Sequence, residues 1–176
     1  MSVQPKIEER AAQPYVGITR RVTEGVPAVV DTAFPALFAW LGEHGVEPAG
    51  PPFIRTREVD TRGEPLELDV AVPVAAPVET DGDVRADVLP AGRYLTLLHV
   101  GPYRSETATD LGDARDALLR HAHERGIVYS RPTERGALVP CGVEHFRVGP
   151  VDTRDHTTWE TEIAYLIADD QAPRGG

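Results

Sequence analysis

The stretch Leu66–Val74 (LELDVAVPV) alternates between aliphatic and other side chains over its whole length. Its even-numbered positions are all leucine or valine, whereas the odd-numbered positions include Glu67 and Asp69. Because successive side chains of a β-strand point to opposite faces, this alternation predicts a strand with one buried face. The two acidic residues would then lie on the face opposite the aliphatic ones.

Three predicted elements precede this strand. Residues Tyr15–Val22 (YVGITRRV) are rich in β-branched side chains and predict a strand. Apolar residues at helical spacing predict a helix within Val26–His44, which either kinks at Pro35 or starts near Thr32. Phe53–Val59 predicts another strand, so the first half of the chain has the order strand–helix–strand–strand.

The second half repeats this order, with predicted elements at Val84–Val100 (strand), Thr107–Arg125 (helix), Gly142–Val148 (strand) and Trp159–Ala168 (strand). When Leu68–Val74 is laid over Thr161–Ile167 without gaps, Asp69 coincides with Glu162. An internal duplication explains both the repeated order and the matching acidic residues.

We therefore predict an α+β fold with duplicated strand–helix–strand–strand modules. The modules would form an antiparallel sheet with two helices on one face and a ligand groove on the other. The predicted domain covers residues 14–168, with pseudo-repeats at 14–78 and 84–168. Residues 1–13 and 169–176 are predicted to be flexible tails.

The composition of the chain argues against several classes of function. The 176 residues include 18 Lys+Arg and 28 Asp+Glu, a formal net charge of −10, which argues against direct binding of nucleic acid. The single cysteine, Cys141, excludes an intrachain disulfide. No apolar run is long enough to span a bilayer, and the N-terminus lacks a signal-peptide core, so we expect a cytoplasmic protein without a membrane partner.

Glu162 is the first candidate for a ligand contact. If Ile163 and Ile167 point toward the helices, strand alternation sends Glu160 and Glu162 to the groove. A carboxylate among apolar residues costs free energy unless a positive group compensates it, and a cationic ligand would do so. The alternative is a solvated face on which both glutamates pair with nearby arginines. Asp69, at the equivalent strand position, is a further candidate.

Aromatic residues on strands or at strand ends are candidates for the lining of the groove: Phe53, Tyr103, Phe146, Trp159 and Tyr165. Each could equally be structural, but as a group they suit a planar, lipophilic ligand. The alternation places Tyr165 on the same side as Ile163, so its side chain must be accommodated near the helices or at the edge of the sheet.

Standard catalytic and metal-binding patterns are absent from the sequence. No serine lies in a G-x-S-x-G elbow, and there is no glycine-rich phosphate loop. His121 and His123 are two residues apart on a predicted helix, which is a poor spacing for shared metal ligands. We therefore predict no metal and no cofactor.

Three segments carry a resemblance to a known family: Tyr15–Arg21, Gly92–Tyr103 (GRYLTLLHVGPY) and Trp159–Ile167 (WETEIAYLI). Across residues 14–168 the chain resembles the GyrI-like small-molecule-binding domains, which also form the effector-binding halves of multidrug-sensing bacterial transcription regulators. The resemblance implies two strand–helix–strand–strand modules and a pocket for lipophilic, often cationic or aromatic compounds. It also implies a ligand-facing glutamate in the last strand, at the position of Glu162.

The closing strand departs from the family pattern, which often reads E-I-Y-I-P-I. Here Ala164 replaces the groove-facing tyrosine, and Tyr165 lies one residue later. Some members of the family resemble hydrolases that open strained, cyclopropane-type rings. For such a reaction the acid–base candidates are Glu162 with Tyr103 or Tyr165.

The leading hypothesis is a stand-alone multidrug-binding protein, because only thirteen residues precede Pro14 and they hold no DNA-reading module. Glu162 would supply the counter-charge to lipophilic aromatic cations. The alternative is a hydrolase of strained-ring or electrophilic small molecules. A third hypothesis is a gyrase-inhibitor-like protein-interaction module, for which the sequence selects no protein partner.

Overall fold

The computed structural model describes residues 4–130 and 142–168. Cys141 and the predicted C-terminal tail, residues 169–176, lie outside the described residues. Within them the chain forms two helices, α1 (Val26–His44) and α2 (Leu111–Glu124), and a short 3₁₀ turn at His156–Thr158. The described residues also form eight strands: β1 (Lys6–Arg10), β2 (Gln13–Arg21), β3 (Phe53–Val59), β4 (Pro65–Pro73), β5 (Val84–Leu89), β6 (Gly92–Val100), β7 (Gly142–Val148) and β8 (Glu160–Leu166).

The predicted α+β class is confirmed, and the strand pairs whose registers are resolved are antiparallel. Helix α1 runs through Pro35 without a break and begins at Val26. It ends at Gly45, whose φ of 63° is the left-handed conformation that glycine adopts at low cost.

One correction concerns the N-terminus. Residues 1–13 were predicted to be a flexible tail, but Lys6–Arg10 forms β1 and pairs with β6. Charged side chains fill most of this strand (KIEER), so it lacks the apolar alternation by which a half-buried strand is recognised. The strand pairs with β6 along its whole length without an apolar face.

The chain divides into two compact units. The N-terminal unit contains residues 11–91 together with 143–145, and its strand order is β5-β2-β4-β3. The C-terminal unit contains the described parts of residues 1–10, 92–142 and 146–176, with the order β1-β6-β8-β7. The units differ in extent from the predicted pseudo-repeats, because β5 pairs with β2 and β1 pairs with β6.

The strand registers show how closely the two units match. In each unit, a tyrosine faces an acidic residue on the neighbouring edge strand. The tyrosine lies on β2 in one unit and on β6 in the other. Tyr15 faces Asp87 in the N-terminal unit, and Tyr94 faces Glu8 in the C-terminal unit. The units therefore share register as well as strand order, as an internal duplication requires.

The third strand of each unit continues this match. Asp69 of β4 faces Thr19, and Glu162 of β8 faces Leu98. In each unit, the acidic residue therefore lies on the strand next to the tyrosine-bearing strand. It faces the residue that comes four positions after the tyrosine. The pairing of Asp69 with Glu162 that the sequence predicted therefore corresponds to equivalent places in the two units.

Each helix packs on strands of its own unit. In the C-terminal unit, a core cluster joins α2 to β6 and β8: Leu95, Leu97, Leu111, Ala114, Leu118, Ala122, Ile163 and Ile167. In the N-terminal unit, α1 buries Leu37, Trp40 and Leu41, whereas Phe38 is 45% exposed. Strands β2 and β4 approach closely at Gly17, where an added Cβ would lie 2.9 Å from a backbone oxygen of β4.

Candidate ligand-binding site

The side chain of Glu162 is buried in the middle of β8. Ile163 and Ile167 belong to the core under α2, so alternation places Glu162 on the opposite face of the strand, as predicted. Leu98 lies directly across from it on β6, and Ala164 follows it on its own face. A charged carboxylate with these apolar neighbours, and only 4% exposed as a residue, needs a positive partner.

Two arginines supply that partner. Arg10 of β1 donates from Nη2 to Glu162 Oε1 at 2.7 Å, and Arg147 of β7 forms a second ion pair with Oε2. The side chains of these arginines are 26% and 44% exposed, against 6% for Glu162. The carboxylate is therefore buried, whereas the groups that neutralise it reach solvent.

Arg10 has further partners within β1 and β6. Its Nη2 also donates to Glu8 Oε2 at 2.8 Å, and its guanidinium lies 5.7 Å from the ring centroid of Tyr94. Hydrogen bonds from Lys6 and Arg10 lower the pKa of Glu8 to about 2. Burial alone would lower the pKa of Arg10, but its hydrogen bonds to Glu8 and Glu162 outweigh burial and raise it.

Asp69, the equivalent residue of the N-terminal unit, has different partners. Its carboxylate accepts hydrogen bonds at 2.7 Å from both Tyr15 Oη and Thr19 Oγ1. Arg57 Nη2 forms an ion pair with it at 2.6 Å and also binds Asp87 at 2.6 Å. Two hydroxyl groups and one arginine therefore hold Asp69 at three points.

Tyr15 connects the Asp69 carboxylate to two arginines. Tyr15 is 1% exposed, and its hydroxyl accepts hydrogen bonds from Arg55 at 3.0 Å and Arg57 at 3.1 Å. Burial, followed by the charge of Asp69, raises the pKa of the Tyr15 phenol well above its usual range. A cavity of about 130 Å³ beside the cluster is lined by Tyr15, Gly17, Thr19, Arg57, Asp69, Arg85, Ala86 and Asp87.

The predicted aromatic residues lie in three separate places. Tyr103 contacts Phe146 and Trp159, with ring centroids 5.7 and 4.6 Å away, and packs against the core under α2. Tyr165 also packs against that core, 5.5 Å from the ring of Tyr129. Alternation places Tyr165 on the strand face opposite Glu162.

Phe53 and Glu160 complete the predicted set. Phe53 is fully buried in the N-terminal unit, where its ring meets Tyr15 edge-on at 5.1 Å. Glu160 shares the strand face of Glu162, lies across from Val100 on β6 and is partly buried. Of the predicted residues on β8, Glu160 and Glu162 therefore share one face.

Sequence reasoning missed the partners of Glu162. Arg10 lies in a segment predicted to be a tail, and Arg147 lies on a strand whose side-chain directions were not assigned. Tyr94 was not singled out as a candidate, although it holds the position that corresponds to Tyr15. The charges at alternate positions 6, 8 and 10 were the one signal in the sequence for an exposed strand there.

Neither a metal site nor a membrane span is found in the described part of the chain. Among residues 4–130 and 142–168, no group of three or more His, Cys, Asp or Glu side chains is arranged to hold a metal ion. In the same residues, neither helix combines the length and apolar character needed to cross a membrane.

The sequence of residues 3–123 matches the model of the GyrI-like small molecule binding domain, more than half of the chain. The chain belongs to this family. The resemblance seen in the sequence is thereby confirmed. No curated protein matches the sequence.

Solved structures of low sequence identity share the fold. The C-terminal domain of EcmrR superimposes with a TM-score of 0.78 at 16% identity, covering 94% of this chain and 97% of that one. EcmrR in its complex with DNA gives 0.77 at 17% identity, covering 93% of this chain and 57% of that one. SAV2435, bound to tetraphenylphosphonium, gives 0.55 at 12% identity and covers 95% of each chain. The GyrI-like chain thus spans little more than half the length of the EcmrR chain.

Proposed function

We propose that this GyrI-like domain binds lipophilic, aromatic and cationic small molecules, and that the Glu162 carboxylate binds their positive charge. The proposal rests on the two arginines that pair with Glu162. Its carboxylate is buried, yet the hydrogen bonds described for it come from arginine side chains that reach solvent. Such partners can be exchanged without unfolding the strand.

The energetics favour an exchange of one cation for another. A ligand that replaces an arginine leaves Glu162 neutralised, so the buried charge is never left unpaired. The arginine regains water, while the ligand buries apolar surface at roughly 25 cal/mol per Å². Leu98, Ala164 and the ring of Tyr94 offer apolar and aromatic contacts on the same face. A large cation with delocalised charge therefore gains more than a small hydrated one.

The matched residue Asp69 supports the assignment by contrast. Tyr15, Thr19 and Arg57 hold its carboxylate within one cluster. A ligand would have to break three contacts at once to reach it. Glu162 is therefore the acidic residue of the pair that we assign to the ligand. The binding of tetraphenylphosphonium by SAV2435, which shares the fold, supplies the choice of probe.

Calorimetric titration with tetraphenylphosphonium tests the proposal. We expect the wild-type protein to bind it and Glu162→Gln to bind at least about 10-fold more weakly, a loss of about 1.4 kcal/mol. Glu160→Gln is the matched control, because it removes one negative charge from the same face of the same strand. Its affinity should stay within about 2-fold of wild type.

Tetraphenylborate, which has the same shape and the opposite charge, separates charge recognition from apolar contact. We expect no measurable binding of this anion to the wild-type protein. Equal affinities of wild type and Glu162→Gln for tetraphenylphosphonium would contradict the role of Glu162. Circular dichroism of the variant excludes unfolding as the cause of a loss.

A further inference from the structure

Arg10 already makes the contacts that the proposed ligand would make. Its guanidinium is 2.7 Å from Glu162 Oε1 and lies over the Tyr94 ring at 5.7 Å from the centroid. An ion pair with a buried carboxylate and a cation–π contact with an aromatic ring are the two interactions expected of a bound aromatic cation. The side chain of Arg10 therefore occupies the place of a ligand's charge.

The framework around the acidic residue does not require this arginine. The two units share the tyrosine, the edge acid and the strand acid, and each has an arginine paired with the strand acid. The position that corresponds to Arg10 is Leu89. Arg10 faces the residue two positions before Tyr94, and Leu89 faces the residue two positions before Tyr15. Asp69 is thus held without a counterpart of Arg10. Arg10 thus occurs in the unit whose acidic residue has Leu98, and not a threonine, across from it.

There is space beside β1 for the Arg10 side chain if it leaves Glu162. It lies at the end of β1, an edge strand of its unit, and its side chain is 26% exposed. A cavity of about 360 Å³ is lined by Glu9, Arg10, Gly92 and Arg93. Glu8, 2.8 Å away, can keep its ion pair with the released guanidinium.

We propose that Arg10 is an intramolecular competitor for the ligand's positive charge and thereby determines specificity. A cation binds when its contacts with Glu162 and its apolar burial together exceed what Arg10 gains from the same place. Small hydrated cations bring little apolar surface and leave Arg10 in position. Large aromatic cations displace it. This inference rests on the proposed function of Glu162 and concerns the selectivity of that same site.

Titration of Arg10→Met with tetraphenylphosphonium tests the inference. Methionine keeps an unbranched apolar stem but removes the charge, so we expect the affinity to rise about 10-fold over wild type. Arg10→Lys keeps a competing cation and should stay within about 3-fold of wild type. Arg120→Met, on the exposed side of α2, removes an equal charge elsewhere and should leave the affinity unchanged.

The gain must also depend on Glu162. In a Glu162→Gln background, Arg10→Met should add no affinity, because the charge for which Arg10 competes is gone. If wild type binds the cation but Arg10→Met binds it equally or more weakly while folded, the competitor role is overturned and the proposed function stands. If neither protein binds it, the proposed function fails and the inference fails with it. Near-ultraviolet circular dichroism establishes that each variant is folded.

Discussion

Glu162 and Asp69 occupy matching positions of a duplicated structure but have diverged in their partners. Thr19 and Tyr15 donate hydroxyl hydrogen bonds to Asp69, whereas Leu98 holds the position opposite Glu162 that Thr19 holds opposite Asp69. At this one position Glu162 lacks the hydroxyl that Thr19 offers Asp69, and Arg10 of β1 and Arg147 of β7 pair with it. The partners described for Asp69 include two hydroxyl groups of neighbouring residues, whereas those described for Glu162 are arginines whose side chains reach solvent.

A substitution of Tyr15 tests the structural role of the Asp69 cluster. Tyr15→Phe removes a donor to a buried carboxylate and an acceptor for two arginines, so we expect the free energy of unfolding to fall by about 1–3 kcal/mol. Urea denaturation should show a lower midpoint with an unchanged slope. Binding of tetraphenylphosphonium should be the same as in wild type.

Tyr129→Phe is the matched control for this experiment. The Tyr129 hydroxyl is buried and has no hydrogen-bond partner among residues 4–130 and 142–168, and burial raises its pKa. Its removal should therefore change the unfolding free energy by no more than about 0.5 kcal/mol. Equal destabilisation by the two phenylalanine variants would contradict the account of the Asp69 cluster.

The sequence led to Glu162 because strand alternation is a local property. The apolar run Ile163–Ile167 determines which face of β8 packs on the helix, and Glu162 follows from the opposite face. Its partners could not be predicted in the same way. Arg10 and Arg147 reach it from distant parts of the chain, and only the strand order brings them together.

At the scale of elements, the C-terminal end of α1 is fastened to the segment before β5. Trp40 Nε1 donates to Asp81 at 2.7 Å, and the His44 ring stacks on Trp40 at 4.0 Å between centroids. His44 Nδ1 lies 2.9 Å from the Trp40 carbonyl oxygen, and its Nε2 lies 3.2 Å from Asp81. Both contacts raise the pKa of His44: the hydrogen bond with the Trp40 carbonyl is the larger cause, and the hydrogen bond with Asp81 is the next.

This contact predicts a pH dependence of stability. A histidine whose folded pKa exceeds its unfolded value stabilises the fold fully below about pH 6.5, and the contribution is lost as pH rises through the raised folded pKa. We expect the urea midpoint of wild type to fall between about pH 5.5 and about pH 8.5 more than that of His44→Gln. Identical pH profiles for the two proteins would contradict the assigned contact.

Element boundaries followed from local patterns where the pattern was strong and failed where it was weak. The C-terminal end of helix α1 was predicted from its apolar spacing and Gly45, whereas its start was left open between Val26 and Thr32 because of Pro35. The sequence did not determine which side of this helix is buried, because aromatic residues occur on more than one side. In the structure Trp40 is buried, whereas Phe38 is exposed. Strand β1 was missed because pairing along a sheet edge needs no apolar side chains.

At the scale of the whole molecule, the duplication organises the charges. The net charge of −10 is a property of the whole chain and does not locate a binding site. The strand registers place one acidic residue at equivalent positions of the two units, Asp69 in one and Glu162 in the other. The two predicted helices and the other predicted strands are observed, whereas β1 was not predicted and Val84–Val100, predicted as one long strand, forms β5 and β6 in different units.

The central claim is that Glu162 binds the positive charge of an aromatic cation in exchange for Arg10. A crystal structure of the protein with tetraphenylphosphonium tests it most directly. We predict that the bound cation lies against Glu162 and the Tyr94 ring, with the Arg10 guanidinium moved away from Glu162 Oε1. A cation bound elsewhere, with both arginines still paired to Glu162, would contradict the claim.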